Sequence, residues 1–319
     1  MIKIALDIMG GDNAPQSNIN GAIDFLKKNQ GSVKIYMIGN EKYILPELEK
    51  NKNISNDTFE IVHTSQTVDS DDKPSKIIKT KPDSSMNKAI CLLKDNIVDA
   101  VISSGNTGCL VSSSFFNLGT IKGIKRPALF TIIPSEKGNF LLGDVGANPS
   151  SKPEQLLQFS KMASIFAKYQ LKINKPKIGL LNIGSEPNKG TAIIKETYTL
   201  MNNELTNFIG NIESRYIFDN KADIVICDGF TGNIVLKLIE GTMNYNLNLI
   251  TNKLNLKSTE QIESLKSVYD YEQTGAAPIL GINGLVFKSH GSSSRISIFN
   301  ALKTAERLSS VNLISKFKF

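Results

Sequence analysis

A short apolar strand, a polar turn with glycine and an apolar helix follow one another several times along this chain, and this repeated unit most constrains the fold. In the clearest copy, residues 222–241, Ile224–Ile226 predicts a buried parallel strand. A tight polar turn over 230–233 and a helix from Ile234 follow. Alternating strands and helices indicate an α/β fold, with a mainly parallel open sheet and helices on both faces. The polar turns then lie along the carboxyl edge of the sheet, where ligands bind.

The length of 319 residues suits one large α/β domain. We predict a single domain over residues 1–319, either undivided or built of two intimately packed lobes. Hydrophobic residues make up 40% and charged residues 21%, as in an ordinary globular protein. No apolar run is long enough to span a membrane, and the first strand starts at Ile2 without a secretory signal, so we expect a cytoplasmic protein.

The positions of the cysteines and histidines argue against disulfide bonds and against a metal site. Cys91, Cys109 and Cys227 lie far apart in apolar surroundings, which predicts buried, reduced thiols. His63 and His290 lack the spacing of metal ligands, so we predict no metal site. The turn after the first strand also lacks the G-x-G-x-x-G fingerprint of dinucleotide-binding folds. We therefore predict no cofactor, and a nicotinamide dehydrogenase is a weaker alternative.

The charge balance indicates an anionic partner. Lys and Arg total 37 against 30 for Asp and Glu, which gives a net charge of +7. The basic residues are scattered, and no nucleic-acid motif or basic stripe with interleaved aromatic residues occurs. We predict a phosphate-bearing or acidic partner rather than nucleic acid.

Candidate ligand-binding residues follow the first strand. Asp7 and Asp12 can accept hydrogen bonds from ligand hydroxyl or amide groups, and Gly10 and Gly11 let backbone N–H groups approach a ligand closely. The alternative is that Asp12 or Asn13 only caps the next helix.

Three later turns repeat this pattern. Residues 103–108, with Asn106 and Thr107, predict an anion cradle before a helix. Residues 144–148, with Asp144 and Asn148, precede a helix that Pro153 opens. His290 lies in another strand-to-helix turn, where it serves either as an acid–base or phosphate-binding group or as a structural cap.

Residues 184–191 nearly imitate a nucleotide-binding P-loop. The P-loop order is G-x-x-x-x-G-K-[ST], whereas Lys189 and Gly190 stand here in the reverse order, so we reject that interpretation. A lysine near a helix N-terminus is disfavoured by the helix dipole, and a bound anion removes the conflict. The alternative is an exposed lysine that costs a few tenths of a kcal/mol.

Seven motifs stand in a fixed order between Ile4 and about Ala305: DIMGGDNAP, SSGNTG, DVGAN, LLNIGSEPNKG, FIGNIE, CDGFTGN and KSHGSS. Together they resemble the phosphate acyltransferase family, PlsX, of bacterial phospholipid synthesis. The resemblance implies a fold like those of isocitrate dehydrogenase and phosphotransacetylase. It implies acyl transfer from acyl carrier protein to inorganic phosphate, with the acyl phosphate passing to a membrane glycerol-3-phosphate acyltransferase. It also implies a homodimer that associates peripherally with the membrane.

The resemblance assigns catalysis to Lys189 and Asn233. As a hypothesis, Lys189 neutralises phosphate charge and Asn233 donates a hydrogen bond to the thioester oxygen. The other predicted substrate-binding residues fall into two groups. The anion site is completed by His290, Asn106, Thr107 and Thr231, and the orienting residues are Asp7, Asp12, Asp144, Asn148, Glu186 and Asp228.

One segment departs from the family pattern. The membrane-contacting hairpin that follows CDGFTGN in the family is strongly apolar, whereas residues 241–271 here carry many Asn, Lys, Glu and Ser residues. We predict a helical protrusion near 241–271 that contacts the membrane less tightly. Two alternatives stay open: a phosphotransacetylase-type enzyme that uses short-chain acyl-CoA, and a non-catalytic scaffold that binds acyl carrier protein.

Overall fold

The computed structural model describes residues 1–29, 31–51, 53–135, 137–253 and 275–317. The chain divides into two compact units: unit 1 comprises Met1–Pro127 and Thr274–Phe319, and unit 2 comprises Ala128–Gln273. Whether they form one domain or two packed lobes stays a prediction.

The described residues form strands and helices in nearly regular alternation. The strands are β1 (Ile2–Asp7), β2 (Val33–Gly39), β3 (Phe59–His63), β4 (Ala100–Ser103), β5 (Ala128–Ser135), β6 (Gly138–Gly143), β7 (Ile178–Asn182), β8 (Phe208–Glu213), β9 (Ile224–Ile226), β10 (Ala277–Leu280) and β11 (Leu285–Lys288). The helices are α1 (Gln16–Lys28), α2 (Glu41–Glu49), α3 (Ile77–Thr80), α4 (Ser85–Lys94), α5 (Thr107–Leu118), α6 (Pro153–Gln170), α7 (Ala192–Glu204), α8 (Gly229–Lys253) and α9 (Arg295–Ser310).

In unit 1 the strand order is β3-β2-β1-β4-β11-β10. All neighbours in this sheet pair in parallel except β10 and β11. Leu6 and Phe287 both pair with Ile102, so β1, β4 and β11 end at the same level. The turns that follow these three strands are therefore neighbours at the carboxyl edge of the sheet. Helices α1 and α9 pack against each other, with Phe25 and Phe299 in edge-to-face contact at 5.6 Å.

In unit 2 the strand order is β5-β6-β9-β7-β8. The β5–β6 pair is antiparallel, and the other pairs are parallel. Ile226 pairs with Gly143 on one side and with Leu180 on the other, so β6, β9 and β7 also bring their following turns side by side. The predicted α/β class with a mainly parallel sheet is confirmed.

The start of α8 differs from the sequence prediction. Residues 230–233 were predicted as a turn, but α8 already begins at Gly229. Asp228 caps the helix, since its Oδ1 accepts a hydrogen bond from the Thr231 N–H at 2.8 Å. A Cβ on Gly232 would lie 1.9 Å from the Asp144 carbonyl oxygen. Glycine therefore serves close packing at this position rather than a turn.

Two further elements complete the comparison with the sequence. Strand β10 lies in the Gly- and Pro-containing segment 275–284, where no strand was predicted. The predicted protrusion begins as the continuation of α8 up to Lys253, and its remainder, 254–271, lies outside the described residues. Within the described ranges, no helix has both the length and the apolar character that spanning a bilayer requires.

All three cysteines are free thiols. Cys109 and Cys227 are buried, whereas Cys91 is half-buried. Burial raises the pKa of Cys109 to about 11 and raises that of Cys227 well above its ordinary value.

Candidate functional site

Asp7 organises the turn after β1 in unit 1. It is buried, and its Oδ2 accepts a 2.6 Å hydrogen bond from the Ser103 hydroxyl at the end of β4. Burial raises the pKa of this carboxyl group, and hydrogen bonds from Ser103, Ser85 and the Met9 N–H oppose the rise. A Cβ on Gly10 would lie 2.6 Å from the same oxygen and 2.7 Å from the Gly105 nitrogen, so glycine lets the turns after β1 and β4 meet. This geometry favours Asp7 as an orienting residue.

Asn18, on α1, fixes the backbone of the same turn and was not singled out by the sequence. Its side chain is buried, and its Nδ2 donates to the carbonyl oxygens of Asp7, Ile8 and Gly10 at 3.1, 2.9 and 2.9 Å. A polar residue on the buried face of an amphipathic helix is the signal that could have found it.

We expect Asn18→Ala to lower the free energy of unfolding by about 2–4 kcal/mol, because it leaves buried carbonyl oxygens without a donor. Urea-induced unfolding measures the change. The matched control is Asn20→Ala on the same helix, which we expect to change stability by less than about 0.5 kcal/mol. Equal losses in the two variants would show that the turn does not depend on Asn18.

The turns of unit 1 surround a polar cavity of about 560 Å³. Gly11, Asp12, Asn106 and Thr107, all predicted site residues, line it. The Asp12 N–H donates to the Gly291 carbonyl oxygen at 2.7 Å, so the turns after β1 and β11 are joined directly. The predicted residues of this unit therefore come together.

The start of α5 forms one side of this cavity. Asn106 caps the helix, and its Oδ1 accepts from the Cys109 N–H at 3.0 Å. The N–H groups of Thr107 and Gly108 come before the capped Cys109 N–H, in the first turn of α5. Backbone N–H groups in a first helical turn have no acceptor within the helix. A helix N-terminus of this kind favours an anion.

Lys288, the last residue of β11, also lines the cavity and was not singled out by the sequence. It is buried, and its Nζ donates to the carbonyl oxygens of Ser104 and Ser289. His290 follows two residues later. Its Nδ1 accepts from the Ser292 N–H at 3.2 Å and lies 2.8 Å from the Ser292 hydroxyl oxygen. These contacts are those expected of a structural cap, and the acid–base or phosphate-binding role of His290 stays a prediction.

The alternative reading of residues 12 and 13 as a helix cap is wrong. The N-cap position of α1 is Pro15, and no side chain caps it. Asn13 instead donates from Nδ2 to the Ser292 carbonyl oxygen at 2.9 Å. It therefore links the turns after β1 and β11.

Asp144 holds the turn after β6 in unit 2. Its Oδ1 accepts from the N–H groups of Leu129, Gly146 and Ala147, and its Oδ2 accepts from the backbone and side-chain nitrogens of Asn148. These distances range from 2.8 to 3.1 Å. Burial raises the pKa of Asp144, and hydrogen bonds from Ala147 and Asn148 oppose the rise. Because five donors occupy the carboxylate, its geometry favours positioning over substrate contact.

Asn233 is the fifth residue of α8 and is exposed. Its side chain makes no hydrogen bond to another residue of the described chain. Asp228 and Thr231, in contrast, satisfy each other: Thr231 donates to Asp228 from both its N–H and its hydroxyl. The Gly229 N–H donates to the Asn148 carbonyl oxygen at 2.8 Å, which fixes the helix start against the turn after β6.

Lys189 stands on the turn between β7 and α7. Its Nζ is 3.8 Å from Glu186 Oε1, and both side chains are about half-exposed, 49% for Lys189 and 57% for Glu186. Thr191, not Lys189, caps α7. A Cβ on Gly184 would lie 2.8 Å from Glu186 Oε2 and 3.0 Å from Lys189 Cγ. The two charged side chains therefore fold over a glycine and leave the ammonium group open to solvent.

The predicted site residues thus fall into two groups. Unit 1 holds Asp7, Gly10, Gly11, Asp12, Asn106, Thr107 and His290, and unit 2 holds Asp144, Asn148, Glu186, Lys189, Asp228, Thr231 and Asn233. Within each unit they lie at the carboxyl ends of neighbouring parallel strands. That the two groups form one cleft stays a prediction.

Comparison with known proteins places the chain in a family. A family model described as "Fatty acid synthesis protein" matches residues 2–316. The chain belongs to this fatty acid synthesis protein family. It is 41% identical over 318 residues to a phosphate acyltransferase of Clostridioides difficile, covering 97% of this chain and 93% of the relative. It is 39% identical over 328 residues to a phosphate acyltransferase of Halothermothrix orenii, covering 99% and 98%. The predicted resemblance is confirmed, and the chain is an acyltransferase of this family.

Solved structures show the same fold. A phosphotransacetylase from Streptococcus pyogenes matches with a TM-score of 0.64 at 16% identity, covering 97% of this chain and 94% of that one. A 4-hydroxythreonine-4-phosphate dehydrogenase from Klebsiella pneumoniae matches with a TM-score of 0.53 at 11% identity, covering 97% and 99%. The phosphotransacetylase-like fold predicted for this family member is confirmed.

Proposed function

We propose that the chain transfers a long-chain acyl group from acyl carrier protein to inorganic phosphate. One observation carries this proposal: β7 and β9 are neighbours, the turn after β7 presents the Lys189 ammonium, and the start of α8 after β9 presents the Asn233 carboxamide. Both groups are solvent-accessible. The ammonium group suits a phosphate anion, and the carboxamide N–H suits a carbonyl oxygen that becomes negative during the reaction.

The reaction needs positioning and charge stabilisation more than an activated protein nucleophile. A phosphate oxygen attacks the thioester carbonyl carbon, and the carbonyl electrons move onto its oxygen. Asn233 donates a hydrogen bond to that oxyanion while Lys189 offsets the phosphate charge. Collapse of the intermediate breaks the C–S bond, and the carrier thiolate leaves and takes up, through water, the proton that the attacking hydrogen phosphate loses. The products are acyl phosphate and free carrier protein.

The polar cavity of unit 1 serves the substrate's anionic and amide-bearing parts in this proposal. The start of α5 and the Lys288 ammonium favour a phosphate group, whether free or on a phosphopantetheine arm. The carboxylate of Asp12 suits an amide N–H or a hydroxyl group of the same arm.

Product analysis tests the proposal. Incubating the protein with palmitoyl-acyl carrier protein and phosphate should release carrier protein and form acyl phosphate. Palmitoyl-CoA and acetyl-CoA serve as competing donors, and faster reaction with acetyl-CoA would favour a phosphotransacetylase-type enzyme. Binding of the carrier protein without phosphate-dependent thioester loss would show a scaffold instead.

We also propose that the protein is a homodimer. Apolar side chains at Phe230, Ile234 and Leu238 stand one helical turn apart on α8 and are 64%, 52% and 67% exposed. A second copy that covers this stripe removes it from water. We expect Leu238→Glu to convert dimers to monomers in sedimentation-velocity runs. The control Leu45→Glu changes an exposed leucine on α2 and should leave the dimer intact. A wild-type monomer would contradict the proposal.

Peripheral membrane association and delivery of acyl phosphate to a glycerol-3-phosphate acyltransferase complete the proposal for this cytoplasmic enzyme. The net charge of +7 supports attraction to anionic lipid. We expect the protein to pellet with anionic vesicles at low salt and to be released at about 0.5 M salt, since screening shortens the range of the attraction. Absence of the protein from the vesicle pellet at low salt would remove the membrane contact.

A further inference from the structure

A bulge in β8 directs an asparagine side chain at the turn after β7. The two strands pair in parallel, but the register advances by one residue between Phe208, which pairs with Ile178, and Asn211, which pairs with Leu180. Gly210, inside this step, has a φ of 97°. Bulges bend a strand, re-aim the side chain that follows and are common next to active sites.

The re-aimed side chain contacts the turn that carries Lys189. Asn211 Nδ2 donates to the Glu186 carbonyl oxygen at 2.8 Å, and the same oxygen accepts from the Lys189 N–H at 3.1 Å. Asn182, at the end of β7, donates from Nδ2 to the Lys189 carbonyl oxygen at 3.1 Å. The Lys189 side chain therefore extends from a backbone segment that two asparagine side chains hold in place.

The stability of the sheet does not explain why residue 211 is an asparagine. Asn211 is buried, and its Oδ1 has no hydrogen-bond partner in the described part of the chain. A buried acceptor without a partner costs stability, and asparagine is disfavoured in strands. The carbonyl oxygen of Glu186 can only accept, so the amide nitrogen must face it. The sheet thus retains an unfavourable residue whose donor serves the turn.

We propose that Asn211 is a positioning residue for acyl transfer: by holding the Glu186 carbonyl group it sets the position of the Lys189 ammonium. The inference rests on the proposed function, in which Lys189 binds the attacking phosphate. It adds a residue that touches no substrate and acts through the turn.

The test compares two asparagines, one within β8 and one directly before it. Asn211→Ala removes the hydrogen bond to the Glu186 carbonyl oxygen. The control, Asn207→Ala, changes the residue directly before β8 and removes the hydrogen bond from its Nδ2 to the Pro176 carbonyl oxygen. Each variant loses one amide–carbonyl bond, and Asn211→Ala also removes the unpaired Oδ1, so its urea midpoint should fall no further than that of Asn207→Ala. We expect Asn211→Ala to lower kcat/KM for phosphate about tenfold with an unchanged KM for the acyl donor. Asn207→Ala should keep kcat/KM within twofold.

A double variant shows whether Asn211 acts through Lys189. We expect Lys189→Ala with Asn211→Ala to match Lys189→Ala alone, because the turn no longer carries an ammonium group to position. Multiplying losses would overturn the proposal, as would a tenfold loss in Asn207→Ala or normal kcat/KM in Asn211→Ala.

Failure of the proposed function gives a different result. Absence of acyl phosphate with the wild-type protein would overturn that function whatever the variants do. Normal turnover of Lys189→Ala would overturn the role of Lys189, and the role of Asn211 with it.

Discussion

We expect Asn233→Ala to lower the turnover number for acyl transfer to phosphate at least about a hundredfold, the usual cost of losing one oxyanion donor. Asn233 is exposed near the start of α8, so its loss removes little packing. Because the hydrogen bond strengthens only as the carbonyl oxygen becomes negative, the loss should fall on kcat, with KM for both substrates nearly unchanged. Initial rates at saturating phosphate and acyl-acyl carrier protein measure this.

Two further variants sharpen the result for Asn233. Asn233→Asp keeps the shape of the side chain but places a negative charge beside the oxyanion, so it should be at least as slow as Asn233→Ala. Asn244→Ala changes an exposed asparagine later on α8 and should keep wild-type rates. Turnover of Asn233→Ala within tenfold of wild type would remove the oxyanion role.

Lys189→Ala should lower kcat/KM for phosphate at least about a hundredfold. An ammonium group about 4 Å from a phosphate oxygen contributes on the order of 4 kcal/mol at the effective dielectric of a protein surface, and partial exposure reduces this. The loose 3.8 Å pairing with Glu186 leaves the ammonium available to a second anion. Rates measured across phosphate concentrations separate kcat from KM.

Charge rather than shape should decide the effect at Lys189. Lys189→Arg keeps the cation and should retain more activity than Lys189→Ala, although its planar fork binds phosphate with different geometry. Lys195→Ala removes an exposed lysine on α7 and should leave kcat/KM unchanged. Equal rates for Lys189→Ala and wild type would exclude Lys189 from phosphate binding.

Local patterns predicted the fold well. Apolar runs such as Ile224–Ile226 are short, bounded by glycine and polar residues, and too apolar for any position except a covered sheet. The strand-to-helix turns after them begin at or near Asp7, Asn106 and Asp144, and Asn233 follows such a turn just inside α8. Parallel pairing makes such turns neighbours, so convergence within each unit follows from the topology.

Contacts between residues far apart in the chain could not be predicted from the sequence. Lys288 donates to the carbonyl oxygen of Ser104, which lies 184 residues earlier in the chain, and no local sequence pattern around either residue predicts this bond. Asn211 reaches Glu186 only because the bulge at Gly210 shifts its register. The start of α8 was placed too late because glycine suggests a turn, whereas Gly232 admits the Asp144 carbonyl group against the helix.

The two buried thiols bear on whether acyl transfer passes through a covalent acyl-enzyme. Cys109 and Cys227 lie beside the two sets of turns, yet burial keeps their pKa values high, so neither provides the thiolate that accepts an acyl group. In the proposed reaction phosphate attacks the thioester directly, so we expect donor and acceptor to be bound at the same time. Double-reciprocal plots for the two substrates should then intersect, as a ternary complex requires, instead of running parallel as in a ping-pong sequence.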